Sequence, residues 1–241
     1  MPHDDRGVTD AAITPTHRRR LAPLVGLFFA LIVPAVLTVG RPGNAPRTVS
    51  AQNIVLNEIV VWALALVVIG IILVWERRPL SSVGLVRPTA RAIKTGASIA
   101  LVLIVLALVG AALIQSMGVS VGDDSQGKMV AGMPYALQAL VVITAGFTEE
   151  LLFRGYAITR VTELTGSRWL GAIVPVLIFG GVHAPFWGIG HALVAGLSGL
   201  WLTLIFLWRK DLWTNIAAHA LLDGLVFLAM DIAALRGTTD I

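Results

Sequence analysis

Residues Thr95–Met117 read TGASIALVLIVLALVGAALIQSM, 23 residues without one ionisable group. At 1.5 Å of rise per residue such a helix is about 35 Å long, enough to cross a hydrocarbon core of about 30 Å. Six further stretches are long and mostly apolar: Leu21–Val39, Ile54–Trp75, Pro134–Phe153, Trp169–Ile189, His191–Trp208 and Leu212–Leu235. The fifth and sixth segments are almost contiguous, so they form a tight helical hairpin. The pattern predicts an all-α fold, a polytopic transmembrane bundle of about seven helices, or eight if the shared run of the hairpin divides differently.

Composition agrees. Hydrophobic residues make up 56% of the 241 and charged residues 13%, about half the share in an ordinary soluble domain, where roughly 25% is typical. Mean hydropathy is +0.84. So few charges do not cover the surface of a soluble globule, and the composition also excludes a disordered chain. There is no cysteine, which excludes a disulfide scaffold, thiol catalysis and cysteine-bound zinc. The net charge of +4 does not mark a nucleic-acid binder, because the basic residues sit at the ends of apolar segments.

Their placement predicts an orientation. One side of the predicted membrane carries Arg6, Arg18, Arg19, Arg20, Arg77, Arg78, Arg87, Arg91, Lys94, Arg154, Arg160, Arg168, Arg209 and Lys210, 14 of the 18 basic residues. The other carries Arg41, Arg47, Lys128 and Arg236. This split puts the N-terminus in the cytoplasm. Trp75, Trp169, Trp208 and Trp213 fall near the same boundary and read as an interfacial belt. Residues 1–20 read as a flexible cytoplasmic tail and 21–118 as an N-terminal set of helices. No cleavage site follows the first apolar run, which is expected to stay as an uncleaved helix. The basic stretch Glu76–Lys94 is expected to lie along the cytoplasmic surface.

Ionisable groups inside a membrane are costly, so each asks for a reason. Glu58, with Asn57 beside it, lies near the outer end of the second segment and reads as interfacial and structural. The later segments hold Glu149, Glu150, Arg154, His183, His191, His219, Asp223 and Asp231. Glu150 and Arg154 are four apart and can pair on one helix face. Glu149 points about 100° away and is left for an inward site, where a desolvated carboxylate can serve as a general base. Phe179 is one turn before His183, beside Gly180 and Gly181, which permit close helix approach. His219 and Asp223 share a face of the last segment, and an intrahelical hydrogen bond would satisfy both. From the predicted cytoplasmic boundary Glu149 comes out about 6–8 Å deep, His219 about 10 Å and His183 about 15–20 Å. One pocket opening to the cytoplasm accommodates them if tilt closes the gap. His191, at the outer hairpin turn, reads as structural and remote. Asp231 is expected to reach water, and Asp123 and Asp124 to form an exposed acidic loop.

Glu149-Glu150-Leu-Leu-Phe-Arg154-Gly155, then Phe179-x-x-x-His183, then His219-x-x-x-Asp223 resemble the three motifs of the CAAX prenyl endopeptidase type II family. This is the CPBP group of intramembrane proteases, which also includes bacteriocin-immunity and lysostaphin-resistance-like proteins. The resemblance covers roughly residues 135–232 and marks 134–235 as the catalytic transmembrane domain. It implies a glutamate-dependent endopeptidase in which Glu149 and His183 activate water and His219 and Asp223 stabilise the oxyanion, with Glu150, Arg154 and Phe179 supporting the site. The eukaryotic pattern has asparagine at the last position. Asp223 donates to an oxyanion only when protonated, and the alternative is that it orients His219. A divalent metal such as zinc, if present, would take Glu149, His183 and His219, although the H-E-x-x-H signature of zincins is absent. The implied partner is a membrane-embedded or membrane-associated peptide or protein, and the implied place a bacterial or archaeal plasma membrane. The alternative to a protease is a scaffold or immunity-type protein on the same fold. A proton-coupled transporter is disfavoured by the lack of an inverted repeat.

Overall fold

A computed structural model describes residues 15–39, 50–121, 129 and 132–237. These residues are mostly helical, with no strand among those described. Among the described residues, seven helices are long and apolar enough to cross a membrane: α1 (Leu21–Thr38), α2 (Ala51–Trp75), α3 (Ala90–Ser116), α4 (Tyr135–Thr165), α5 (Arg168–Trp187), α6 (Ile189–Arg209) and α7 (Leu212–Leu235). The chain is a multi-pass membrane protein by this criterion. The backbone of α1 is helical from Pro15 onward, so the expected tail boundary at residue 20 falls inside a helix, and residues 1–14 lie outside the described set. Asp123 and Asp124 also lie outside it. Side-chain caps fix three helix starts: Ser50 accepts from Asn53 N–H, Thr89 from Ala92 N–H and Ser167 from Leu170 N–H.

The seven helices alternate in direction. The starts of α1, α3, α5 and α7 and the ends of α2, α4 and α6 therefore share one end of the bundle, here the basic end. Helix α7 packs most extensively on α3, and α5 on α6. Lipid-facing leucine, isoleucine and valine stay exposed along the outside, as expected where the solvent is hydrocarbon.

The largest departure from expectation is α4. It does not stop at Phe153 but runs to Thr165. Hydropathy alone ends the segment at Arg154, yet Arg154 and Arg160 are buried. Both have partners that make burial tolerable. Arg154 pairs with Glu150 at 2.8 Å, and Arg160 with Glu76 from the end of α2 at 2.6 Å. Tyr156 donates to the same Glu76 at 2.8 Å. Residues Glu150–Ile158 are wound as π-helix, and all nine are buried. They meet Ala30, Leu31, Ile72, Val83, Phe179, Phe206 and Leu212 in one core.

The stretch after α2 is mostly exposed, but one turn of it reaches the core. A 3₁₀ turn at Leu80–Val83 inserts beside α4, with Val83 fully buried. Gly155 makes this possible: a Cβ there would sit 2.7 Å from the Val83 carbonyl and 2.8 Å from Leu212. Gly84 takes a left-handed conformation, φ 80°, and its carbonyl accepts from Leu212 N–H at 2.9 Å. Trp213 donates to the Val86 carbonyl at 2.7 Å. The segment thus anchors the start of α7 opposite Gly155.

Candidate active site

The longer α4 removes the depth mismatch. Glu149 lies 16 residues from the end of α4, His183 lies 15 from the start of α5, and the two ends are joined by the turn at Gly166. At 1.5 Å per residue both are about 22–24 Å from that turn. Helix α7 starts higher, opposite Gly155, so His219, seven residues in, reaches a similar level. All three residues stand near the middle of the bundle.

Glu150 is the hub. Its carboxylate accepts from Arg154 Nη1 at 2.8 Å and from Asn215 Nδ2 at 3.0 Å, and lies 2.8 Å from His219 Nδ1. Glu150 and Arg154 are 0% and 1% exposed. A carboxylate held by a guanidinium acts as an acceptor, so His219 donates from Nδ1 and turns Nε2 the other way. Asn215 also donates to the Leu202 carbonyl at 2.8 Å, which ties α7 to α6. The Arg154 guanidinium stacks over the Phe179 ring at 4.0 Å, a cation–π contact with α5. Gly199 leaves room for it, since a Cβ there would stand 3.0 Å from Arg154 Nη2 and 2.8 Å from Phe179.

His219 Nε2 faces two more carboxylates, Asp223 at 3.4 Å and Glu149 at 3.9 Å. These two are half-open: the Glu149 side chain is 27% exposed and that of Asp223 33%. The separation from Glu149 exceeds a hydrogen bond and leaves the carboxylate available to another group. His183 lies across Phe179. Its Nδ1 is 2.7 Å from the Phe179 carbonyl and therefore carries the proton, and its ring centre is 4.9 Å from that of Phe179, which is 6.2 Å from His219. The expected partner of Glu149 was His183, but among the described residues His219 is the histidine with a nitrogen within 4 Å of it.

Two residues, His191 and Asp231, differ from their sequence reading. His191 is not remote: its ring is 6.0 Å from that of His183 and stacks on Trp187 at 5.0 Å. The hairpin turn at Gly188 brings the two imidazoles together, a closeness that the near-contiguous segments could have signalled. Asp231 is buried, because Gln138 of α4 donates to its carboxylate at 3.2 Å. Glu58, read as structural, is buried, with Asn57 donating at 3.3 Å and Thr144 beside it. Asn215, unremarked except as part of a family-like string, is a central residue. No spacing marks it, because its partner is 65 positions away.

Nδ1 of His183 is committed to the Phe179 carbonyl and Nδ1 of His219 to Glu150, which leaves Nε2 of each as the nitrogen that could reach a metal. Among the described residues no group of three or more histidine, aspartate and glutamate side chains converges as a metal site would.

Glu149, Glu150, Phe179, His183, His219 and Asp223 all fall within residues 131–225, which match the family described as Type II CAAX prenyl endopeptidase Rce1-like. Comparison with curated proteins and with solved structures found no match. This matched segment contains the whole acid–imidazole cluster, and over it the chain is similar to the Rce1-like type II CAAX prenyl endopeptidases.

Proposed function

We propose that this protein is an intramembrane endopeptidase that hydrolyses a peptide bond of a membrane-associated protein or peptide. The observation that carries the reading is His219, held at Nδ1 by a fully buried Glu150 while Nε2 faces the half-open Glu149 and Asp223. In this reading Glu149 takes a proton from water, and the hydroxide adds to the substrate carbonyl carbon. The proton passes to the leaving amine as the tetrahedral intermediate collapses. His219 donates from Nε2 to the oxyanion once it carries a second proton, with Nδ1 fixed by Glu150. Asp223, 3.4 Å from that nitrogen, aligns the ring. His183, oriented by the Phe179 carbonyl, offers Nε2 to the attacking water from the α5 side. Glu150, Arg154, Asn215 and Phe179 position the others.

The test is mass spectrometry of cleavage products from membranes carrying the wild type, Glu149→Ala or His183→Ala. Products present with the wild type and missing with both variants are expected. Products that persist with Glu149→Ala would overturn the reading. A cellular phenotype that survives Glu149→Ala, with no product from any of the three, would favour the scaffold or immunity role.

A further inference from the structure

The basic end carries cations that the ion pairs of the bundle leave unused. Helices α5 and α6 are joined at Gly188 and pack along their length, and two glycines fix their register. A Cβ on Gly180 would lie 3.1 Å from the Ala192 carbonyl oxygen and 3.2 Å from the Gly196 Cα, and one on Gly199 would lie 2.8 Å from the Phe179 ring. Carried to the basic end, the same antiparallel register sets Arg168 and Trp169 at the start of α5 beside Trp208, Arg209 and Lys210 at the end of α6. Burial and the neighbouring Arg168 charge hold the Lys210 ammonium below the ordinary lysine value, as expected of two cations side by side. The carboxylates of this end are engaged elsewhere. Glu76 holds Arg160 and Tyr156, Glu163 holds Arg78 and Arg160, and Asp211 accepts from Trp213 N–H and the Thr214 hydroxyl. Among the described residues none of Arg168, Arg209 and Lys210 forms an ion pair with a carboxylate.

The helices themselves account for only part of this charge. A cation near the C-terminus of α6 complements the helix dipole, but Arg168 opens α5, where the dipole disfavours it. Lys210 stands in a left-handed conformation, φ 53°, where glycine is less strained. The surroundings are those of a lipid boundary. Trp169 and Trp208 are 79% and 73% exposed, as indoles at headgroup level are. Below the cations an exposed apolar row runs down each helix, Leu170, Ile173 and Leu177 on α5 and Leu204 and Leu200 on α6. We propose that the α5–α6 pair binds a phospholipid with an anionic headgroup at the basic end, its phosphate held by Arg168 and Lys210 and its acyl chains laid along these two rows. Basic clusters between helices at a membrane surface attract such headgroups. Arg209, over the Trp208 ring at 5.5 Å, adds to the attraction. A free anion would use the cations but not the rows beneath them, so the occupant is a lipid. Nothing in this proposal depends on the protease reading.

The test is native mass spectrometry of the full chain in detergent, titrated with phosphatidylglycerol, with phosphatidylcholine and with inorganic phosphate. The wild type is expected to bind phosphatidylglycerol about tenfold or more tightly than phosphatidylcholine. Arg168→Gln/Lys210→Gln is expected to weaken phosphatidylglycerol binding by about 25-fold, about fivefold for each charge removed. Arg91→Gln/Lys94→Gln removes the same charge from exposed positions of α3 at the same end and is expected to cost about threefold or less. Arg168 and Lys210 are exposed as well, so lipid-free thermal unfolding is expected to match the wild type. Should the double variant not fold, Arg168→Gln alone is expected to cost about fivefold. Equal weakening by the two pairs would mean diffuse attraction to the whole basic end and overturns the proposal. So does binding of phosphatidylcholine as tight as that of phosphatidylglycerol, or displacement of the lipid by an equal concentration of inorganic phosphate, which would leave an anion site without a lipid.

Discussion

Two stretches near the same site differ in packing. Residues 150–158 of α4 are all buried, while residues 181–187 of α5 are at most partly buried. The first follows Glu149 directly and the second contains His183, so the candidate chemistry sits on the border between complete and partial burial. The contrast is sharpest in adjacent carboxylates. Glu150 is satisfied by Arg154, Asn215 and His219, whereas Glu149 keeps more than a quarter of its surface exposed. A site for hydrolysis needs both: groups that cannot move and a carboxylate that water can reach.

The largest expected effect breaks this contrast on the less buried side. Glu149→Gln removes the base and keeps the shape. Cleavage is expected to fall by about 10²–10⁴-fold, the usual contribution of a positioned base, with little change in thermal stability in detergent. A variant that retains more than a tenth of the wild-type rate would remove Glu149 from the chemistry.

On the packed side the expected loss is stability. Arg160→Met leaves Glu76 buried beside Tyr156 with its closest charge gone. Removing one partner of a buried pair costs about 3–5 kcal/mol, whereas replacing both is far milder. Glu76→Gln/Arg160→Met is therefore expected to be more stable than Arg160→Met alone in thermal unfolding. If the double variant is the worse of the two, the pair does not act as a buried ion pair.

How much of this was legible in the sequence follows from the range of the interactions. The helices were, because 20 consecutive apolar residues carry their own signal. The Glu150–Arg154 pair was, because four residues is one helical turn. The end of α4 was not: Arg160 looks like a loop residue until Glu76, 84 positions earlier, is brought beside it. Asn215 was hidden for the same reason. His191 was misplaced because reading it as a turn residue ignored that Trp187 and His191 flank a turn one residue wide, which brings α5 and α6 side by side. Family motifs named the chemical groups, and spacing alone did not reveal which of them touch.

The smallest effect makes the comparison within one dipeptide. Gly180 and Gly181 both read as small residues permitting close approach, but only Gly180 is used that way. A Cβ on Gly180 would lie 3.1 Å from the Ala192 carbonyl oxygen and 3.2 Å from the Gly196 Cα, both backbone atoms of α6. A Cβ on Gly181 would meet nothing within 4 Å. Gly180→Ala must push α6 outward and is expected to cost about 1–3 kcal/mol, as overpacking does. Gly181→Ala adds helix propensity at no steric cost and is expected to be neutral or stabilising by up to about 1 kcal/mol. Denaturant unfolding of the two single variants in the same detergent reads the difference. Equal destabilisation by both would mean that α5 is packed on all sides at this level.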